Sequence, residues 1–428
     1  PICSFLKTAA VTSSVLAFPH VMRSQQGSSP NKRLNVACVG IGGRGAAAVS
    51  AMKNENIVAL CDVDEARAAK TLAAHQGVPH FRDFRRMLEK MEKQIDAVTV
   101  STPDHMHFPI AMAAMSLGKH VFVEKPISHT IAEARQLAAK AREKKVATQM
   151  GNQGHAGEGV RLFKEWYQAG IFGDVLELHS WTDRPIWPQG VKAPDHSKLR
   201  PVVPATLDWD VWLGVAAARA YDPAYLPFNW RGYWDFGTGA LGDMGCHIID
   251  HPMWALDLGA PSSVEARTTL DGTRLADNKL NFETYPVAAI ITYQFPARQN
   301  GKLPPVTMTW YEGGLMPPTP AEMPPGRPLP GNGVLYVGSR GKMFHSSHGG
   351  MPQLLPASLQ EQAKLVPKTM ERSPGHYEEW YQACTGGKMP VANFDYSGPL
   401  TETVLLGVLS MRAPGERLED RKSTRLNS

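Results

Sequence analysis

The chain reads as an α/β protein. An N-terminal Rossmann domain with a doubly wound parallel sheet precedes an α+β domain built on a large, mostly antiparallel open sheet. Three observations predict this. Between Leu34 and Met150, short apolar runs alternate with helical stretches. A Gly-x-Gly-x-x-Gly turn, Gly40 to Gly45, follows the first run directly and opens a helix. After Gly151 the pattern changes to β-branched and aromatic strands separated by Pro-rich loops. With 428 residues and 43% hydrophobic content, the chain can bury more than one average core.

The first domain, residues 34–150, supplies the strands LNVACVG, NIVALCD, AVTVST, HVFVEKP and VATQMG. Helices are predicted over Gly45–Lys53, Asp64–Gln76, Phe84–Lys93, Pro109–Leu117 and Ile131–Lys144. Short continuous apolar strands between helices imply a parallel sheet covered on both faces. The second domain, residues 151–419, begins with a helix over Glu158–Ala169 and the strand DVLELHSWTDR. A Pro-rich loop near Pro185–Ala205 leads into an aromatic segment, LDWDVWLG to NWRGYWDFG. AAIITYQF, VTMTWYE and GVLYVGSRGKMFH carry strand-forming residues, the last with a hairpin around Ser339–Gly341. Pro304–Pro330 reads as a Pro/Gly-rich surface excursion, and helices at Tyr377–Cys384 and Pro399–Met411 close the domain.

A net charge of +5 without a dense basic stretch gives no support to nucleic-acid binding. Five scattered cysteines suggest neither a disulfide framework nor a cysteine-rich zinc site. Residues 1–33 read as an export-signal remnant and linker. The chain starts at Pro1 rather than Met, as a fragment would, and SFLKTAAVTSSVLAF is too short and mild for a membrane span. Ser4-Phe5-Leu6-Lys7 resembles the core of a twin-arginine signal, Arg-Arg-x-Phe-Leu-Lys, although Ile2 and Cys3 stand where the arginines belong. The expectation is a parent protein exported to the periplasm; an ordinary N-terminal arm is the alternative. Residues 420–428 match the translation of a sequencing adapter, which would leave the second domain C-terminally truncated.

The cofactor signal lies in the first domain. Gly40 permits a tight turn, Gly42 lets backbone approach a pyrophosphate, and Gly45 allows close helix–strand packing. Amides at the helix N-terminus then face the anion. Asp62 ends the second strand, where an acid accepts from the adenosine ribose hydroxyls. A carboxylate there repels a 2′-phosphate, so NAD is expected rather than NADP. A cap on the helix from Asp64 is the other reading of Asp62.

The segment STPDHMHFPIAMAAMSLGKHVFVEKPIS, Ser101 to Ser128, resembles the glucose-fructose oxidoreductase / inositol dehydrogenase / rhizopine-catabolism (Gfo/Idh/MocA) family. WRGYWDFGTGALGDMGCHIIDHPMWALDLG, Trp230 to Gly259, looks like its exported bacterial members. The resemblance implies a phosphate turn of Gly40, Gly42, Gly43 and Gly45 with Ile41 and Arg44 at its tip, and a ribose acid at Asp62. It places Thr102, Pro103 and His107 along the nicotinamide. Glu124-Lys125-Pro126 becomes the tripeptide whose lysine reaches both nicotinamide ribose and substrate. Asp243 and His247 become the acid/base pair. It also implies a homo-oligomer, dimer or tetramer, paired through the open sheet face.

The chemistry is coherent in itself. Oxidising an alcohol requires a base for the hydroxyl proton, and histidine titrates near the working pH. Asp243 lies one helical turn before His247 on the same face and can orient the ring. Lys125, at a strand's C-terminal end, would stabilise developing alkoxide charge. A satisfied i,i+4 hydrogen bond is the plainer reading of the Asp/His pair. His247 and His251 have the spacing of a zinc helix, but Ile248 replaces the glutamate, Pro252 follows at once and no third ligand is evident. No metal is expected, and Asp250 and His251 are packing or capping residues. Asn152, Gln153 and His155 line the pocket or form a polar turn, and the sequence does not choose. Arg231 and Tyr233 suit sugar binding or an aromatic core, while His105 and His129 read as surface or turn histidines.

The leading expectation is an NAD-dependent dehydrogenase or reductase acting on a ring hydroxyl of a sugar, polyol or sugar derivative. An NAD-dependent redox glycoside hydrolase needs the same residues. A non-catalytic sugar sensor is third, disfavoured by the intact Lys/Asp/His set.

Overall fold

The computed structural model describes residues 33–192, 194, 201–269 and 283–419. The export-like segment and the adapter-like tail lie outside them.

The first half alternates strand and helix. In chain order it runs β1 (Asn35–Val39), α1 (Arg44–Ala51), β2 (Asn56–Cys61), α2 (Glu65–Ala74), β3 (His80–Phe81) and α3 (Phe84–Met91). Then follow β4 (Ala97–Val100), α4 (His107–Ser116), β5 (His120–Val123), α5 (Ile131–Lys144) and β6 (Thr148–Met150). The strands form a six-stranded parallel sheet in the order β3-β2-β1-β4-β5-β6. The order reverses between β1 and β4, so the loops after β1, β4 and β5 open into one crevice, where such sheets bind ligands. The expected helices are present. The two-residue β3 had escaped the apolar-run criterion because its half-exposed residues carry no apolar run.

The second half begins with α6 (Glu158–Gln168), β7 (Val175–Trp181), α7 (Trp209–Leu213), α8 (Gly239–Ile248) and α9 (Asp250–Leu256). It continues with β8 (Ser263–Thr268), β9 (Ala289–Phe295), β10 (Val306–Tyr311), β11 (Gly333–Gly338), β12 (Lys342–Ser346) and β13 (Gln353–Leu355). The last elements are α10 (Ser358–Ala363), α11 (His376–Cys384), α12 (Phe394–Ser410) and β14 (Arg417–Glu419). Eight strands pair in the order β13-β12-β11-β7-β10-β9-β8-β14, with only β7 and β10 parallel. β9 and β10 alternate buried with partly exposed residues, the mark of a sheet with one open face. The β11–β12 hairpin turns at Ser339–Gly341 as expected.

Two expectations change. The strand expected at VTMTWYE is Val306–Tyr311, central between β7 and β9, and the surface excursion placed at Pro304–Pro330 therefore begins only after it. Within that stretch Met323 and Leu329 are buried against Trp181, Leu335 and Phe344. α12 starts at Phe394, ahead of Pro399, because Asn393 caps it by accepting from the Asp395 amide. Pro399 removes one helical hydrogen bond, but the helix is buried against α5 and α8, and this packing outweighs the loss.

The domains share their interior. One apolar cluster runs from Val98, Val121 and Leu137 through Leu241 and Ile248 to Val404 and Leu405. The other face of the parallel sheet is covered from α11, whose Trp380 is fully buried beside Val36, Cys38 and Phe122. Residues late in the chain therefore complete the core of the first domain.

Candidate active site

β1 delivers the chain into the glycine turn. Gly40 has φ of +74°, and a Cβ there would stand 2.6 Å from the Ser101 carbonyl oxygen. A Cβ on Gly45 would stand 1.8 Å from the Gly40 carbonyl oxygen, so only glycine lets α1 start this close to β1. Asp62 Oδ2 accepts from the amides of Ile41 (2.8 Å) and Gly42 (3.1 Å), while Oδ1 accepts from Asp64 (3.0 Å). Burial raises the Asp62 carboxyl above its usual value against the pull of these amides. Asp64, not Asp62, caps α2. Gly43, the N-cap of α1, offers no side chain to the helix amides, which leaves that end open to an anion. The Ile41 side chain is buried in the core, so this residue contributes backbone rather than a cavity wall. A backbone cradle, a free helix end and an acid at the second strand fit a dinucleotide.

That cradle and the catalytic candidates line one cleft with a volume of about 420 Å³. Lys125 follows β5, and its Nζ donates to Asp243 Oδ1 at 2.7 Å and to the Asp243 carbonyl oxygen at 2.6 Å. Asp243 projects from α8, whose glycines allow close packing: a Cβ on Gly245 would press on Val404 of α12. Two arginines flank the same carboxylate, Arg231 Nη1 at 3.2 Å and Arg184 Nε at 3.6 Å. Burial raises the Asp243 carboxyl, but Lys125, Arg231 and Arg184 outweigh it and hold the group at about 2. Asp243 is therefore ionised at any working pH and anchors Lys125.

His247 lies one turn further along α8 on the cleft wall, only 4% exposed. Burial pushes its pKa well below the ordinary histidine value, and Lys125, His348, Arg44 and His251 push it further. The ring is neutral at pH 7, the state a base requires. Among the described residues no hydrogen bond or ion pair joins it to Asp243. The expected orienting role of the aspartate toward the histidine is replaced by one toward the lysine, because three cations compete for the carboxylate. A ring contact to His348 at a centroid distance of 4.1 Å takes that place.

The remaining candidates divide. Thr102, Pro103, Glu124, Gln153 and Arg231 line the cleft. Arg44 opens α1 and crosses the cleft to Glu124 (Nε–Oε1, 2.9 Å), with Gln153 Oε1 3.5 Å from its Nη2. His107 is buried with Nδ1 2.6 Å from the Pro126 carbonyl oxygen and Nε2 2.8 Å from that of Thr102. It ties the loop after β4 to the loop after β5 and so helps place Lys125. Tyr233 is not at the cleft: it is buried with Trp209, Tyr225 and Phe236 in an aromatic cluster of its own. His105 is no surface histidine either, since that cluster buries it with its nitrogens near the Trp212 and Phe236 carbonyls and its pKa falls to about 4. His129 is partly buried against the Gly237 carbonyl. Asp250 binds His155 (2.8 Å) and Tyr396 (2.6 Å), and with His251 it belongs to the buried layer beneath the site. Among the described residues no group of three His, Cys, Asp or Glu side chains could hold a metal.

Sequence reasoning missed four cleft residues. Arg184 and His348 stand in loops with no motif of their own, Asp104 opens a short 3-10 helix inside the Thr102–His107 segment, and Arg67 in the first turn of α2 covers Gly42 and Gly43. Asp104, which accepts from Thr238 at 2.5 Å and faces Arg231 at 3.7 Å, lay within reach of the sequence beside Thr102-Pro103.

The fold and this cleft define a dinucleotide-binding protein with a cation-rich site at the sheet's switch point. Residues 34–152 match the NAD-binding Rossmann fold of the Gfo/Idh/MocA oxidoreductase family, and residues 186–274 match its C-terminal alpha/beta domain. The chain resembles this family over those two stretches. It is 26% identical over 169 residues to a levoglucosan dehydrogenase of Pseudarthrobacter phenanthrenivorans, a match covering 39% of this chain and 34% of that protein. It is 31% identical over 166 residues to a glycosyl hydrolase family 109 protein of Solibacter usitatus, covering 34% of this chain and 36% of the other. These matches span about a third of those relatives' lengths. An inositol dehydrogenase homolog of Azotobacter vinelandii, solved with NADH and myo-inositol, superposes with a TM-score of 0.57 at 16% identity. That superposition covers 91% of this chain and 98% of the other, and it shows the shared fold.

Proposed function

We propose that this protein is an NAD-dependent dehydrogenase or reductase acting on a ring hydroxyl of a sugar, polyol or sugar derivative. The observation that carries the reading is the convergence of Lys125, Asp243 and His247 on the cleft that the glycine turn also lines. Gly40, Gly42, the α1 N-terminus and Asp62 would hold the dinucleotide, with Thr102, Pro103 and Glu124 toward its nicotinamide end. When bound, NAD accepts a hydride from carbon or returns one.

The chain's own residues handle the proton and the charge. Neutral His247 takes the hydroxyl proton, and the Lys125 ammonium, steadied by two contacts to Asp243, stabilises the developing alkoxide. Arg231 and Arg184 keep Asp243 ionised, which keeps its contacts to Lys125 in place. The levoglucosan dehydrogenase likeness supports a carbohydrate substrate.

The likeness to a glycosyl hydrolase family 109 protein favours one second reading, a redox glycosidase that oxidises, eliminates, hydrates and re-reduces. Incubation with aryl glycosides without added NAD, and separately with free sugars and polyols plus NAD, separates the two. NADH accumulation in the second arm alone is expected. Aglycone release in the first arm would establish the hydrolase instead. The reading also includes export of the parent protein and a homo-oligomer paired through the open sheet face, where Thr292, Thr307, Thr309 and Tyr311 stand partly exposed. A monomer on light scattering would remove the latter.

A further inference from the structure

We propose that His348 is a second proton carrier, which takes from His247 the proton lost by the substrate hydroxyl and passes it to solvent. This rests on the dehydrogenase reading. His247 is buried, and its Nδ1 has no hydrogen-bond partner among the described residues. A proton that arrives there must leave before the next turnover. His348 lies on the loop between β12 and β13, lines the same cleft, is exposed, and holds its ring 4.1 Å from that of His247 at 30°. Its Nδ1 is 2.9 Å from the Ser347 hydroxyl, which steadies the ring.

The backbone is built to put it there. His348 has φ of +60°, a conformation side-chain-bearing residues rarely adopt and one that the surroundings must hold in place. The holder is GNQGHAGEG, the glycine-rich segment that leads into the first turn of α6. A Cβ on Gly154 would stand 2.5 Å from the His348 carbonyl carbon, and one on Gly159 would stand 2.4 Å from the Gly350 carbonyl oxygen. The glycines form a trough into which the 348–350 backbone sinks, and the histidine stands over His247 as a result.

The transfer balances. The substrate O–H bond breaks as an N–H bond forms on His247. The two rings face each other without a hydrogen bond among the described residues, so that N–H bond breaks to a bridging water. The water gives up a proton as an N–H bond forms on His348, and His348 releases its proton to bulk water. The electron pair of the carbon–hydrogen bond departs with the hydride that the proposed oxidation removes. The titratable and charged groups facing His247 are Lys125, His348, Arg44 and the neutral His251, and those facing His348 are Lys125, Asp243, Arg44 and Arg184. Both rings are held below the ordinary histidine value, by burial first, and both are neutral and ready to accept at pH 7.

His348→Asn tests this, since asparagine tolerates the positive φ but its amide does not accept and release a proton near neutral pH. The expected result is a kcat reduced about tenfold or more, less than the roughly hundredfold or more for losing the primary base, because His247 still takes the substrate proton. A larger solvent deuterium isotope effect, unchanged NAD affinity and recovery of kcat on adding imidazole are expected with it. A normal kcat, or a loss confined to KM that imidazole does not restore, would overturn the proposal. Histidine NMR titration of the cofactor-free protein gives a readout independent of turnover. The His247 ring should titrate at higher pH in His348→Asn than in the wild type, and identical titrations would also overturn the proposal. A coupled titration in a wild type that oxidises no carbohydrate would support the ring pair while refuting the dehydrogenase.

Discussion

At the scale of single residues, the site rests on one carboxylate with three cations around it. Removing the ammonium in Lys125→Met should lower kcat by about a thousandfold, the range seen when a preorganised charge stabiliser is lost. Stopped-flow binding of NAD checks that the cradle survives. Lys125→Arg should not restore the rate, because a larger planar guanidinium spreads the charge and does not place a compact cation where Nζ meets the Asp243 carboxylate and carbonyl. Lys125 and His247 were legible in the sequence because each sits in a local motif. Arg184 and His348 were not, since they reach the cleft from loops whose sequences carry no spacing signal. Tyr233 shows the opposite error: an aromatic next to a cleft arginine looked like a sugar platform, but its neighbours Trp209, Tyr225 and Phe236 make a core that buries it.

At the scale of elements, close approach decides. The β1–α1 turn works because Gly45 lies against the Gly40 carbonyl, so Gly45→Ala must displace the helix from the strand. Isothermal titration should show NAD affinity falling by at least a hundredfold, with the circular dichroism spectrum little changed. The turn and the acid after β2 could be read directly, because short apolar strands and glycine spacing are local properties. The trough at Gly154 and Gly159 could not, since its partner loop is some two hundred residues away in the chain. α12 departs from expectation for another reason: Pro399 looks like a start signal, whereas Asn393 caps the helix further upstream, and packing against α5 and α8 outweighs the hydrogen bond the proline removes.

At the scale of the whole molecule, the interior is rich in neutral histidines. His105 and His345 are held at about 4 and His251 and His376 at about 3, each by burial first. An unfolded chain protonates these rings near pH 6.5. Below that pH the unfolded state binds protons that the folded state refuses, so folding stability falls as pH drops from about 6.5 toward 4. Each ring contributes a slope of up to about 1.4 kcal/mol per pH unit. Urea melts at pH 7, 6 and 5 should show midpoints declining steadily; a midpoint flat down to pH 5 would contradict the buried-neutral assignment. Two sheets and their order of appearance were readable from pattern alone. That one apolar core spans both halves, with α11 closing the first sheet, depends on contacts between distant segments that no local pattern encodes.

The central claim is that His247 and Lys125 serve hydride transfer between a carbohydrate carbon and NAD. The most direct measurement incubates the protein with NAD and a panel of sugars and polyols deuterated at their ring carbons, then weighs the reduced cofactor by mass spectrometry. The wild type should yield NADH carrying one deuterium from a single ring position, and His247→Ala should yield none while still binding NAD. Reduced cofactor formed equally by His247→Ala, or no deuterium in the cofactor from any substrate, would contradict the account.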